Sequence, residues 1–174
     1  MGIRIQLGNV LEAHADALLL TIDGARRGLE GNIARAFARR WPDVFEEVLE
    51  QIRYPLPLGR TAVTRPESEC PFQIILFAST LHHLDVLSDV EKARVTASAL
   101  REAITLAARH GQRVLATAVM TGGWRLPFNA ALETMLSAAS VLTRADSTTD
   151  LLICVRSESE HASALAIASR KDQW

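Results

Sequence analysis

Short apolar runs alternate with helix-period segments along almost the whole chain, and this alternation limits the folds open to it. Runs at 3–7, 17–21, 61–64, 73–78, 113–119 and 151–155 read as strands. Several are nearly continuous in apolar residues, as strands covered on both faces must be. The first instead alternates Ile3, Ile5 and Leu7 with Arg4 and Gln6, the pattern of an outer, half-exposed strand. Between the runs lie helices with legible ends. Ser88 followed by Glu91 makes a capping box, and Gly111 closes the same helix. Within it Ala93, Ala97, Leu100, Ile104 and Ala107 recur at steps of three and four, giving one apolar stripe. Pro42-Asp43 with Glu46 opens a second helix, on which Val44, Val48 and Ile52 face one way. Pro127 opens a third, with Phe128, Ala131, Leu132, Met135, Ala139 and Leu142 on its apolar side. Segments 32–41 and 160–169 complete the set. Strands alternating with helices predict an α/β chain: a three-layer αβα sandwich around a mixed, largely parallel sheet.

Composition narrows the function classes. The 174 residues are 48% hydrophobic and 22% charged, and no Pro/Gly/Ser-rich linker divides them, so a single domain over 1–174 is expected. Nineteen basic and twenty acidic residues leave a net charge of -1, which gives no bulk attraction to nucleic acid or to an anionic membrane. Cys70 and Cys154 have neither the number nor the spacing for a disulfide framework or a zinc site, and no cofactor is called for. Cys154, inside Leu151-Leu152-Ile153-Cys154-Val155, reads as a small buried hydrophobe. The first residues lack the apolar stretch of a signal peptide, and no run approaches the roughly 20 residues of a membrane span. A cytoplasmic setting is the expectation.

In such a fold, ligands bind beyond the carboxyl ends of the strands. Two segments have the right place and chemistry. Residues 23–33, Asp-Gly-Ala-Arg-Arg-Gly-Leu-Glu-Gly-Asn-Ile, follow the second strand and open a helix. Residues 121–127, Thr-Gly-Gly-Trp-Arg-Leu-Pro, follow the fifth and open another. Glycine lets backbone N–H groups approach an anion, and a helix N-terminus supplies free donors and positive potential. Two such loops together suit a diphosphate. The plainer alternative is that both are ordinary βα turns.

The order of the pieces resembles the macro domains, the ADP-ribose-binding family. Gly8-Asn9-Val10 is similar to that family's Gly-Asp-Ile element, and His14-Ala15-Asp16-Ala17-Leu18-Leu19 to its Val-Asp-Ala strand. Gly28-Leu29-Glu30-Gly31-Asn32-Ile33 resembles its first loop, and Gly59-Arg60-Thr61-Ala62 its glycine-containing entry into the next strand. Residues 73–77 fit the following core strand. Met120-Thr121-Gly122-Gly123-Trp124-Arg125-Leu126-Pro127 is similar to its phosphate loop.

The resemblance implies binding of ADP-ribose or a related adenine nucleotide, free or attached to a macromolecule. Asn9 and Val10 then match the adenine site. Asn9 stands where the family has an acidic acceptor, and its amide adds a donor that alters base preference. Gly28, Leu29, Gly31 and Asn32 match the loop beside the distal ribose and phosphates. Thr121, Gly122, Gly123, Trp124 and Arg125 match the loop around the diphosphate. Trp124 reads equally as an aromatic beside the distal ribose or as one packing the loop onto the core.

Departures open two alternatives. The family's Asn-Ala-Ala-Asn run is Leu20-Thr21-Ile22-Asp23 here, Ala25-Arg26-Arg27 replaces flexible glycines, and Arg125 replaces a phosphate-loop glycine. Arg156 stands near the last strand where the family stacks an aromatic on adenine. Glu30 occupies the position of the aspartate in hydrolytic members. Asp23 and Glu30 therefore imply an ADP-ribosyl hydrolase, since glycosidic cleavage uses a base for water and stabilises an oxocarbenium-like transition state. Against this, Glu30 also reads as a solvated helix-start carboxylate and Asp23 as an Asx-type turn residue. The other alternative is an interaction module whose cleft Arg125 has closed. His82-His83 with Asp85 reads as a surface loop, because further metal ligands at suitable spacing are lacking. Ser79, Thr80 and Ser137 sit in no nucleophile elbow.

Overall fold

The structure is a computed structural model and describes residues 2–28, 31–121, 126–143 and 148–171. Six strands form one sheet: β1 (Ile3–Leu7), β2 (Ala17–Asp23), β3 (Thr61–Thr64), β4 (Ile74–Leu81), β5 (Val114–Ala118) and β6 (Asp150–Val155). Their order is β1-β6-β5-β2-β4-β3, with every pair parallel except β3–β4, which is antiparallel. Five helices connect them: α1 (Asn32–Arg40), α2 (Pro42–Glu50), α3 (Asp89–Arg109), α4 (Phe128–Thr143) and α5 (Glu158–Lys171). This is the three-layer sandwich that the alternation predicts.

The continuous apolar strands are explained by the two faces they feed. Successive strand residues point to opposite sides of the sheet. Thus Ala17, Leu19, Ile74, Leu76, Ala78, Leu115, Leu151 and Ile153 join the core under α3, α4 and α5. Their alternates Leu18, Leu20, Ile22, Ile75, Phe77, Ala116, Leu152 and Cys154 join the core under α1, α2 and the short 3-10 turn at Val10–Glu12. That second core is aromatic: Phe45 lies 6.1 Å from Phe37 and 6.4 Å from Phe77 between ring centroids. β1 stands at the sheet edge with Arg4 and Gln6 exposed and Ile3 and Ile5 half-buried, as its pattern predicts, while Leu7 at its end is exposed as well.

Several details differ from the sequence reading. β2 runs on to Asp23 and β4 to Leu81, because Thr21, Ile22 and Asp23 pair across with Ala78, Ser79 and Leu81 through a bulge. Polar residues at these strand ends read as loop, yet hydrogen bonding along the β2–β4 pair carries them as strand. On α3 the buried stripe begins at Thr96 and includes Ala99 and Ala103, while Ala93 is only half-buried. The capping box of Ser88 and Glu91 is formed, and Gly111, at φ 72°, takes the left-handed conformation that closes α3.

Two expectations follow. Ser88→Ala removes the acceptor for the Glu91 N–H and lowers stability by about 1 kcal/mol, measurable as a fall in the urea midpoint with unchanged slope. Burial pushes the Cys154 thiol up to about 11, so at neutral pH it holds no thiolate. A maleimide at pH 7 therefore labels Cys154 far more slowly in the folded chain than in denaturant, as peptide mass mapping would report.

Candidate functional site

The topology marks one place for a ligand. The chain leaves β2 for α1 and α2 on one face of the sheet, and leaves the neighbouring β5 for α4 on the other. Connections that part in this way leave a crevice beyond the carboxyl ends of the two strands. The strands are also paired unequally there. β2 and β5 are paired only at their start, Ala17 with Leu115 and Leu18 with Ala116. By contrast β2 stays paired with β4 to its last residue, through the bulge between Ile22 and Asp23. From Leu19 onward β2 has no ladder partner on the β5 side.

The loop after β2 is built by tight approaches. Gly24 donates its N–H to the Leu81 carbonyl at 2.8 Å and accepts the Leu56 N–H at 2.7 Å. A Cβ on Gly24 would lie 2.0 Å from Ser79 Oγ and 2.2 Å from the Leu56 carbonyl oxygen. Gly28 has φ 94°, a backbone conformation suited to glycine. Gly31 returns the chain to the strand by donating its N–H to the Thr21 carbonyl at 3.2 Å. A side chain there would meet both Thr21 oxygens at 2.9 Å. Gly31 is also the N-cap of α1 and brings no side-chain cap, and the first turn of α1 carries no acidic residue. Asn32 turns its side-chain oxygen to Arg35 at 3.0 Å. Among the described residues no side chain caps the first N–H groups of α1, an arrangement that favours an anion. Arg27 is paired with Glu46 on α2, while Arg26 is exposed.

The second loop is closed at its neck. Leu126 donates its N–H to the Thr121 carbonyl at 2.9 Å, and the flanking Met120 and Leu126 are buried. Leu29, Glu30, Gly122, Gly123, Trp124 and Arg125, which the sequence reading assigns to ligand or catalysis, lie outside the described residues.

At the β1 end, Asn9 is exposed and caps the 3-10 turn, accepting the Leu11 N–H at 3.1 Å. Its amide nitrogen points to Glu12 at 3.5 Å. Val10 is buried beneath it. The carbonyl keeps a second lone pair for a ligand donor.

Asp23 has a different environment from the crevice loops. Its side chain is 0% exposed, and both oxygens are engaged. Oδ1 accepts the Ala25 N–H at 2.8 Å, forming an Asx-type turn. Oδ2 accepts the His83 N–H at 2.9 Å and lies 3.0 Å from His83 Nδ1. The two adjacent histidines part company, for His82 turns Nε2 to the Leu56 carbonyl at 2.9 Å and Nδ1 towards Asp85 at 3.6 Å. Sequence reasoning missed the Asp23–His83 contact, because only β2–β4 pairing brings residues sixty positions apart together. Among the described residues, no group of three or more His, Cys, Asp or Glu side chains is placed to hold a metal, and no helix is long and apolar enough to cross a membrane.

Because a methyl group at Gly24 cannot fit without moving backbone, Gly24→Ala is expected to cost about 1–3 kcal/mol, readable as a lowered melting temperature.

No family model and no curated protein sequence matches the chain. Solved structures do. A mutant of the Oceanobacillus iheyensis macrodomain matches with a TM-score of 0.81 at 14% identity, over 97% of this chain and 92% of that one. The Trypanosoma brucei macrodomain in complex with ADP-ribose matches with a TM-score of 0.74 at 18% identity, over 95% and 68%. The macrodomain of Mycobacterium tuberculosis DarG matches with a TM-score of 0.67 at 20% identity, over 90% and 100%. Strand order, layers and connections thus coincide over nearly the whole chain, and its fold is that of the macrodomains.

Proposed function

We propose that this protein binds ADP-ribose or a closely related adenine nucleotide derivative in the crevice between β2 and β5. The observation that carries this reading is the parting of the two strands after Leu18 and Ala116. Beside it lie the loop through Gly24 and Gly31 and the N-terminus of α1, donors suited to a diphosphate. The fold likeness supports the same ligand class, since the Trypanosoma brucei macrodomains of similar fold carry ADP and ADP-ribose. With net charge of -1, the chain holds an anionic ligand by these local donors and not by its overall field.

In this reading the adenine end lies by Asn9 and Val10, and the diphosphate between the loops that begin at Gly24 and Thr121. Gly28, Gly31 and Asn32 shape the first loop. Leu29 and Glu30 complete it, and Gly122 to Arg125 complete the second. The ligand is taken free or as a group attached to a macromolecule.

Isothermal titration with ADP-ribose, ADP and AMP tests the proposal, with measurable binding of ADP-ribose expected and silence towards all three at millimolar concentration rejecting it. Asn9→Asp keeps the cap of the 3-10 turn and replaces an amide donor by an acceptor. The affinity ratio of ADP-ribose to its hypoxanthine counterpart should then rise about tenfold, because the adenine amino group donates where hypoxanthine accepts.

A further inference from the structure

The sheet ends in two edge strands, β1 and β3, and the chain treats them differently. On β3, Glu102 accepts the Thr61 N–H at 2.7 Å. Just past the end of β3, Gln51 accepts the Arg65 N–H at 2.9 Å and donates to the Arg65 carbonyl at 2.8 Å. Side chains of the same chain thus blunt that edge, which would otherwise offer open backbone groups to another strand.

β1 is left open. The Leu151 N–H donates to the Gly2 carbonyl at 2.9 Å, and the Gly8 N–H donates to the Val155 carbonyl at 2.8 Å. In a parallel ladder alternate residues turn both backbone groups to the same neighbour, so Gly2, Arg4, Gln6 and Gly8 face β6. The N–H and C=O groups of Ile3, Ile5 and Leu7 therefore point away from the sheet. No described residue hydrogen-bonds them. Of the devices that blunt an edge, β1 has a single charged residue, Arg4, and neither proline nor bulge.

We propose that this edge is a docking surface for a second copy of the chain, the two β1 strands pairing antiparallel about a twofold axis at Ile5. The residues of the strand select both the partner and the register. With the axis at Ile5, that residue opposes its own copy and Ile3 opposes the second copy's Leu7. Every outward backbone group of the strand then finds a partner. Ile3, Ile5 and the exposed Leu7 of both copies line up as one apolar row on the side of α3 to α5. On the other face Arg4 meets the second copy's Gln6, so no like charges are directly opposed. An axis at Arg4 would set two guanidinium groups against each other. An axis at Gln6 would carry Ile3 opposite Asn9, where the chain has already left the strand for its 3-10 turn. The twofold also runs the two α5 helices, which pack against β1, in opposite directions. Their matching ends are then unlike in charge, Glu158 and Glu160 at the start of one and Arg170 near the end of the other. β6 and β5 lie between β1 and β2, so the dimer stands apart from the ligand reading given above.

Sedimentation velocity of the full chain from about 1 μM to about 0.5 mM should show twice the chain mass growing in with concentration. Over the same series the Ile3, Ile5 and Leu7 amides should gain protection from hydrogen exchange. Gln6→Glu sets a carboxylate opposite Arg4 at both symmetric positions and should tighten the dimer about fivefold, whereas Gln6→Arg should weaken it by a similar factor. Gln6 is exposed in the single chain, so both variants keep the fold. Leu7→Pro removes an N–H that serves no bond within the described chain, and should raise the dimer dissociation constant at least about tenfold. A single-chain mass throughout the series overturns the proposal. So does a dimer indifferent to Leu7→Pro, or one that Gln6→Glu weakens, the sign that an axis at Gln6 would give.

Discussion

The parallel pairing of β2 with β4, and its early abandonment between β2 and β5, is the constraint on which the rest of this molecule turns. Hydrogen bonding along one edge of β2 continues to Asp23, while along the other it stops after Leu18. The first condition carries polar residues into the strand ends and brings Asp23 beneath His83. The second leaves the end of β2 to the loop that returns through Gly31 to Thr21. The loop that returns to Thr21 and the Asp23–His83 contact are therefore two consequences of one strand with unequal neighbours.

Burial on both faces makes this arrangement rigid. Each residue of β2 from Leu18 to Leu20 is almost wholly excluded from solvent, alternating between the core under α3 to α5 and the aromatic core under α1 and α2. Fully burying one such side chain contributes about 1.5–3 kcal/mol, so sliding the strand by one residue would forfeit many times the strength of any single loop contact. Loop geometry is set against a fixed floor. Gly24 and Gly31 can then be packed against backbone oxygens at distances no side chain would permit.

That rigidity changes how the polar residues near the crevice are read. Asp23 lies in the chain where a ligand-facing residue is expected from the resemblance, yet its carboxylate is turned into the protein and satisfied there. The exposed partner of the pair is His83, from a segment that reads as surface loop. Asn9, in contrast, stays at the surface and spends one lone pair on its own 3-10 turn. Position along the chain therefore assigns neighbourhood, and hydrogen bonding assigns which atom a ligand can reach.

The sequence by itself determined the layers and their elements, because periodicity and capping are local. Continuous apolar runs required helices on both faces, Ser88 with Glu91 and Gly111 fixed the ends of α3, and the order of the segments resembles that of the macro domains. The extra length of β2 and β4 was not legible, since Asp23 and Ser79 are strand residues only by virtue of cross-strand hydrogen bonds. Nor was the Asp23–His83 pair, because no local pattern links residues sixty positions apart. The tertiary structure alone decided the unequal pairing of β2. The physical reason is that register and strand order depend on which buried faces fit together across the whole core, a property that no single segment carries.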